Sequence, residues 1–226
     1  MRWFAPPEGD PIQLRKTPRP ASFNANKHPD QVRLKAYLDD TEDLLGDSRV
    51  DGLWALRLDV GAAPTKDLLR EVADLDNYGH PLAYRIKDSG LVSVWCTKQH
   101  DEHEQSFVRI EAAREVPPPP GVLVVRTTAS SQSSAYKDQI KVAVAAVGML
   151  PDGPVRLEFS FVIGNRGWLG LWKPTIDALD PLLGRTYPHR PYHPLDGRIT
   201  ELGMHVTVDR ALGYDVLIGI TATPVG

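Results

Sequence analysis

The stretch Ala73-Asp74-Leu75-Asp76-Asn77-Tyr78 leads, through Asp88 twelve residues after Asp76, into the apolar run Leu91-Val92-Ser93-Val94-Trp95-Cys96-Thr97-Lys98. The run has the composition of a strand, and the acidic stretch that of a helix start, where Asp76 or Asn77 would cap the first turn. Gly79 and Pro81 both fall in that turn, so the helix is expected to be short. Carboxylates at i and i+2, with a third from the start of a neighbouring strand, supply the hard oxygen ligands that Mg²⁺ or Mn²⁺ takes. Left without a cation, such a cluster would raise its own pKa values and strain the fold. Capping alone also enriches helix starts in Asp, so the motif by itself is a weak signal.

Outward from this stretch, composition narrows the classes. A chain of 226 residues with 42% hydrophobic residues can bury a core as one large domain or two ordinary ones. A formal net charge of −3 gives no global attraction to nucleic acid, so any phosphate contact must be local. The single cysteine, Cys96, excludes an internal disulfide framework and fits a reducing compartment. No apolar stretch approaches the roughly 18 to 20 residues that span a membrane, and the first twenty residues lack a signal-peptide core. A cytoplasmic protein with no membrane partner is expected.

Residues 1–20 hold five prolines among Arg15, Lys16 and Arg19 and read as an extended basic arm. Asp30 to Leu45 reads as an amphipathic helix and Leu53 to Val60 as a strand. Leu91 to Thr97 and Ser106 to Ala112 read as a hairpin whose tip carries His100, Asp101, Glu102, His103 and Glu104, a set more in keeping with a solvated turn than a metal site. Pro117 to Gly121 forms a stiff connector and the clearest boundary. Beyond it, Val122 to Arg126 reads as a strand, Ser134 to Val147 as a helix and Val155 to Ile163 as a strand.

The order of elements then recurs. Asp76 and Asp177 lie 101 residues apart, as do Trp54 and Val155, and Tyr37 answers to Tyr136 at 99. After an expansion containing Tyr187-Pro188-His189-Arg190-Pro191, Asp88 and Asp196 lie 108 apart, and the strands Ile199 to Val206 and Tyr214 to Ala222 match Leu91 to Lys98 and Ser106 to Ala112. Two like halves on a short linker would pack as an internal pseudo-dimer, suited to a twofold ligand such as duplex or branched DNA, or to a second copy of the chain.

On these residues the chain resembles the RusA-type Holliday-junction resolvase family. Asp74-Leu75-Asp76-Asn77 and Lys87-Asp88-Ser89-Gly90-Leu91-Val92, ending at Lys98, are similar in order to that family's Asp-x-Asp-Asn helix start and acidic turn into a strand. Lys173-Pro174-Thr175-Ile176-Asp177 and Leu195-Asp196-Gly197-Arg198-Ile199 resemble the same elements, with Thr175 in place of the first Asp and Ala178 in place of the Asn. The Asp76 to Asp88 spacing is shorter than usual in the family, and His80 stands where a lysine is typical. The resemblance implies an α+β fold of two RusA-like repeats, each a small mixed sheet with helices, at 21–116 and 122–226, preceded by the arm 1–20 and joined by the linker 117–121. It further implies a Mg²⁺- or Mn²⁺-dependent endonuclease on branched DNA. Asp74, Asp76 and Asp88 would be the catalytic metal ligands, Asp177 and Asp196 relic or secondary ligands, and Lys98, Lys173 and Arg198 phosphate contacts. The alternative is an inactive nucleic-acid-binding or protein-interaction subunit, with a further protein partner or homo-oligomer left open.

Other motifs are weaker. Ser130, Ser131, Ser133 and Ser134 lack a Gly-x-Ser-x-Gly turn, and Gly164-Asn165-Arg166-Gly167-Trp168 lacks the Gly-Lys-Ser/Thr of a phosphate loop. Trp168, Trp172, Tyr187 and Tyr192 lie among Arg166, Lys173, Arg185, His189, Arg190 and His193, a mixture that either grips unpaired bases or packs against the other half.

Overall fold

The computed structural model describes residues 1–21, 25, 27–46, 48 and 50–225; the remaining residues of the expected first repeat, 22–24, 26, 47 and 49, lie outside that description. In chain order the elements are β1 (Trp3–Phe4), β2 (Ile12–Gln13), α1 (Pro29–Leu45), β3 (Trp54–Ala62), α2 (Leu75–Ile86), β4 (Leu91–His100), β5 (Phe107–Ala112), β6 (Glu115–Val116), β7 (Leu123–Thr127), α3 (Ser134–Ala145), β8 (Val155–Ile163), α4 (Trp172–Asp177), α5 (Asp180–Leu183), β9 (Ile199–Val208) and β10 (Val216–Pro224). The fold is mixed α+β, built on one eight-stranded sheet ordered β2-β5-β3-β4-β9-β8-β10-β7. Among the described residues no helix is long and apolar enough to cross a membrane.

Two parallel ladders, β3 with β4 and β8 with β9, are joined by the antiparallel pair β4–β9, which runs from Ser93↔His205 to Thr97↔Glu201 through Trp95↔Gly203. Each ladder shifts register after its first pair, between Trp54 and Ala55 in one and between Val155 and Arg156 in the other. The expected hairpin of β4 with β5 does not form. Instead β5 pairs with β3, which lies between them. The reason is local: Asp101 donates its amide to the Ala62 carbonyl, and Gly61 donates to Ser106 Oγ, so the 101–106 loop crosses the end of β3. Any Cβ at Gly61 would overlap the Gln105 carbonyl. The Asp101 carboxylate accepts from the His103 and Gln105 amides, which makes the acidic tip a turn.

Strand alternation gives the sheet two faces. Val94, Cys96, Leu202, Met204, Phe159 and Phe161 are buried with Leu75 and Leu82 of α2, Tyr37 of α1 and Tyr136 and Ile140 of α3 in one apolar core. Here α2 is longer than the sequence suggests, at twelve residues with Pro81 inside it. A proline at that position cannot donate to the Asn77 carbonyl four residues back, and Ala21 of the N-terminal segment supplies an amide in its place at 2.7 Å. Gly79 brings the same helix against the sheet so closely that a Cβ would overlap Cys96 Sγ.

The opposite face carries Arg57, Asp59, Trp95, Thr97, Arg156, Glu158, Ser160 and His205. It is crossed by the N-terminal segment, whose carbonyls satisfy the sheet's side chains. Ser160 Oγ donates to the Arg2 carbonyl at 2.6 Å, Trp95 Nε1 to Phe4 at 3.3 Å and Arg57 to Pro7 at 3.2 Å. Trp3 and Phe4 lie buried against His205, which hydrogen-bonds Ser93. Two short stretches of this segment are paired with the rest of the chain, β1 with β6 and β2 with β5. Because Trp3 is only 2% exposed, Trp3→Ala is expected to destabilise the fold by about 3–5 kcal/mol in urea unfolding.

Candidate functional site

The N-terminus of α2 lies at the far end of β4, beside the start of β9. Asp74 occupies the N-cap position of α2 with extended backbone, and its carboxylate receives Asn77 Nδ2 at 3.4 Å. Asp76, in the first helical turn, is buried with 4% exposure. A 3₁₀ turn, Asp196–Arg198, precedes β9 and delivers Asp196 to the same place, because a Cβ on Gly197 would lie 3.8 Å from Asp74 Oδ1. Asp177, at the end of α4, completes the group. Lys173 Nζ stands among them, 3.0 Å from Asp196, 3.4 Å from Asp177 and 3.9 Å from Asp76. Lys137 meets the other oxygen of Asp177 at 2.7 Å. The cluster opens on a cleft of about 830 Å³ bordered by Arg70, Asp74, Asp152, Thr186, Leu195 and Asp196.

Its electrostatics follow from crowding and burial. Asp76 is pushed up to about 6, first by desolvation and then by Asp74, Asp196 and Asp177, against the opposing pull of Lys173. Asp74 is raised by burial and by Asp196. Burial alone would lower the Lys173 ammonium, but Asp76, Asp196 and Asp177 outweigh it and raise it. These shifts agree with Lys173 being shared among several acids: the lysine is fully served and Asp76 is not.

Of the residues singled out in the sequence, Asp74, Asp76, Asp177, Asp196, Lys98 and Lys173 come together. Asp88 does not. It sits before β4 at the opposite end of the strand, where its carboxylate accepts from Trp54 Nε1 and the Gly90 amide, each at 2.7 Å. Leu91 and Lys98 are seven residues apart on β4, roughly 23 Å at about 3.3 Å per residue, so Asp88 cannot join Asp74 and Asp76. The antiparallel β4–β9 pairing puts Asp196 in the place expected for Asp88, an exchange that no linear spacing reveals. Arg198 is likewise not a phosphate contact. Its buried guanidinium donates to the carbonyls of Gly153 at 2.9 Å, Leu183 at 2.8 Å and Pro151. Lys98 is buried too, at 3% exposure, and holds the Gly197 carbonyl at 2.8 Å, tying the 3₁₀ turn to β4. Lys173, by contrast, keeps 47% of its side chain exposed.

The aromatic mixture divides. Trp172 is buried and meets Trp168 and His80 edge-on at 5.2 and 5.9 Å, bracing α4 against α2, whereas Tyr187 stays half exposed. Sequence reasoning missed Lys137 as a partner of Asp177, although its place one residue after Tyr136 on a helix facing α4 was a usable signal. Among the described residues no group of three or more acidic, histidine or cysteine side chains converges as a metal-binding set. No protein-family model matches the chain, and no curated protein sequence matches it.

A carboxylic acid raised in the folded state is stabilising while protonated, so the contribution of Asp76 is complete below about pH 4 and is lost as pH rises through about 6. The shift corresponds to about 3 kcal/mol. Asp76→Asn should therefore be more stable than the native chain at pH 8 by about 1–3 kcal/mol and equal to it near pH 4, as read by thermal unfolding across pH.

Proposed function

We propose that this chain is a divalent-cation-dependent endonuclease for branched DNA, built from two RusA-like units fused in tandem and working through one composite site. The observation that carries the reading is the approach of Asp76, from the first unit, and Asp196, from the second, to one half-exposed lysine, Lys173, with Asp74 and Asp196 lining a cleft beside it. The tandem arrangement is supported by register. The ladders open at Trp54↔Leu91 and Val155↔Ile199, positions related by 101 and 108 residues, the same spacings that relate Asp76 to Asp177 and Asp88 to Asp196. Under those spacings Trp95 answers to Gly203, the pair at the centre of the β4–β9 seam, as a pseudo-twofold axis requires.

The donor set fits a hard cation in its chemistry: carboxylate oxygens only, with Asp74, Asp76, Asp177 and Asp196 facing the ammonium groups of Lys98, Lys137 and Lys173, so one negative charge is left over. Asp74, Asp76 and Asp196, which do not converge as a metal-binding set in this arrangement, would have to draw together to hold Mg²⁺ or Mn²⁺, which would supply polarisation of the scissile phosphate and a more acidic attacking water. The remaining work falls to the chain itself. Asp76, raised to about 6 by burial, would serve as a ligand only in its ionised form. Lys173, with 47% of its side chain exposed, would meet a phosphate oxygen once a cation took over part of its carboxylate shell. Lys98 keeps the Asp196 turn against α2. With one composite site, a single strand is cut per encounter.

A second reading has its own observation. Lys173 Nζ stands where Asp76, Asp177 and Asp196 converge and neutralises them without a cation, as in a binding subunit that has lost catalysis. The two separate on a labelled four-way junction in Mg²⁺ or Mn²⁺. The nuclease reading expects nicking by the native chain that falls at least about a hundredfold in Asp76→Asn, with junction binding retained. Equal binding and no metal-dependent nicking by either protein leaves the binding subunit alone.

A further inference from the structure

The segment between α5 and β9, Gly184 to Leu195, contains no acidic residue and carries Arg185, Tyr187, His189, Arg190, Tyr192 and His193. It forms a closed loop. Arg185 and Pro194 make an antiparallel bridge, the Thr186 amide donates to the His193 carbonyl at 2.9 Å, and Thr186 Oγ1 donates to the Pro194 carbonyl at 3.0 Å. One side of the loop is anchored. Tyr192, with φ of 64°, donates its hydroxyl to Asp138, and the Lys137 and Lys141 ammonium groups lie 5.3 and 5.2 Å from its ring. A tyrosine rarely adopts the left-handed region, so the loop's shape is imposed by its surroundings rather than adopted freely.

The other side of the loop is open. A turn closed by the Arg190 amide on the Tyr187 carbonyl presents the Tyr187 ring at 50% exposure. The Arg190 guanidinium sits 5.5 Å from that ring's centroid, and His193 meets its edge at 5.5 Å. Among the described residues Arg190 has no carboxylate partner. A half-exposed aromatic ring with a guanidinium beside it gives a base a surface to stack on and its phosphate a counter-charge. Thr186 and Leu195 from the base of the same loop line the cleft into which Asp74 and Asp196 open. A strand stacked on Tyr187 would thus be led toward the acidic cluster, and the loop supplies the local positive patch that the net charge of −3 withholds globally.

We infer that this loop, with Tyr187 as stacking platform and Arg190 as phosphate contact, binds unpaired nucleotides beside the composite site and so selects DNA with single-stranded character. The inference rests on the reading of the chain as one that acts on nucleic acid. Binding of a labelled oligothymidylate and of a blunt duplex, measured by fluorescence anisotropy in EDTA, tests it without any cleavage. The native chain should prefer the single strand. Tyr187→Ala should weaken that binding about five- to a hundredfold, Tyr187→Phe should retain it, and duplex binding should be the same in all three. Arg190→Ala should reduce the slope of log affinity against log salt by about 0.7. Unfolding temperatures should be unchanged, since the ring is half exposed. Single-strand affinity unaltered by Tyr187→Ala, or no preference for the single strand, overturns the inference. A chain that nicks junctions in Mg²⁺ while Tyr187→Ala binds as tightly as the native protein defeats this inference and leaves the nuclease reading intact. A chain that never nicks, but loses single-strand binding in Tyr187→Ala, does the reverse.

Discussion

The seam between β4 and β9 is the constraint on which the rest of the molecule depends. Each strand is the inner member of a parallel ladder, and the two meet antiparallel over Ser93 to Thr97 and Glu201 to His205. The start of β9 therefore lies against the end of β4. Because α2 lays Gly79 against Cys96 and runs back along β4, its N-terminus reaches that same point. Asp74, Asp76 and Asp196, distant in sequence, are neighbours because one sheet register makes them so.

That neighbourhood is electrostatically expensive. A helix N-terminus normally stabilises an acidic residue in its first turn by up to about 1 kcal/mol, yet Asp76 is shifted upward because burial and three nearby carboxylates outweigh both the helix and Lys173. The surrounding structure is committed to keeping the arrangement. Lys98 spends its ammonium on the Gly197 carbonyl, Arg198 holds three further carbonyls, and Trp172 braces α4 against α2. These buried cations fix the backbone on which the acids stand, so the crowding is held in place by the fold rather than relaxed.

Much of the fold is readable from local pattern, because the strands and long helices are strongly periodic. The helix expected from Asp30 to Leu45 is α1, and the strand expected at Val155 to Ile163 is β8 to the residue. The misreadings arise where a distant partner overrides a local rule. Pro81 reads as a helix limit, but the Ala21 amide repairs the bond it removes. The strands β4 and β5 read as a hairpin, but β3 takes the position between them. Asp88 reads as a ligand by proximity in sequence, yet Trp54 Nε1 and the Gly90 amide hold its carboxylate at the other end of β4, while Asp196 arrives from across the seam. Lys98 and Arg198 are phosphate contacts by resemblance alone; backbone carbonyls at the 3₁₀ turn and around Pro151 claim them instead. Burial and register are properties of the assembled sheet and leave no mark in a linear spacing.

The pair Trp95 and Gly203 has a consequence for which strands can lie side by side. The indole lies across the glycine so tightly that a Cβ there would come within 2.9 Å of the ring. Were β4 to dock on another β4 in this register, two indoles would contend for one space; β9 on β9 would leave that space vacant. Neither strand is a workable mate for itself. The contact behaves as a lock and its key carried on two different strands, so the register of β4 on β9 is fixed by one large and one absent side chain.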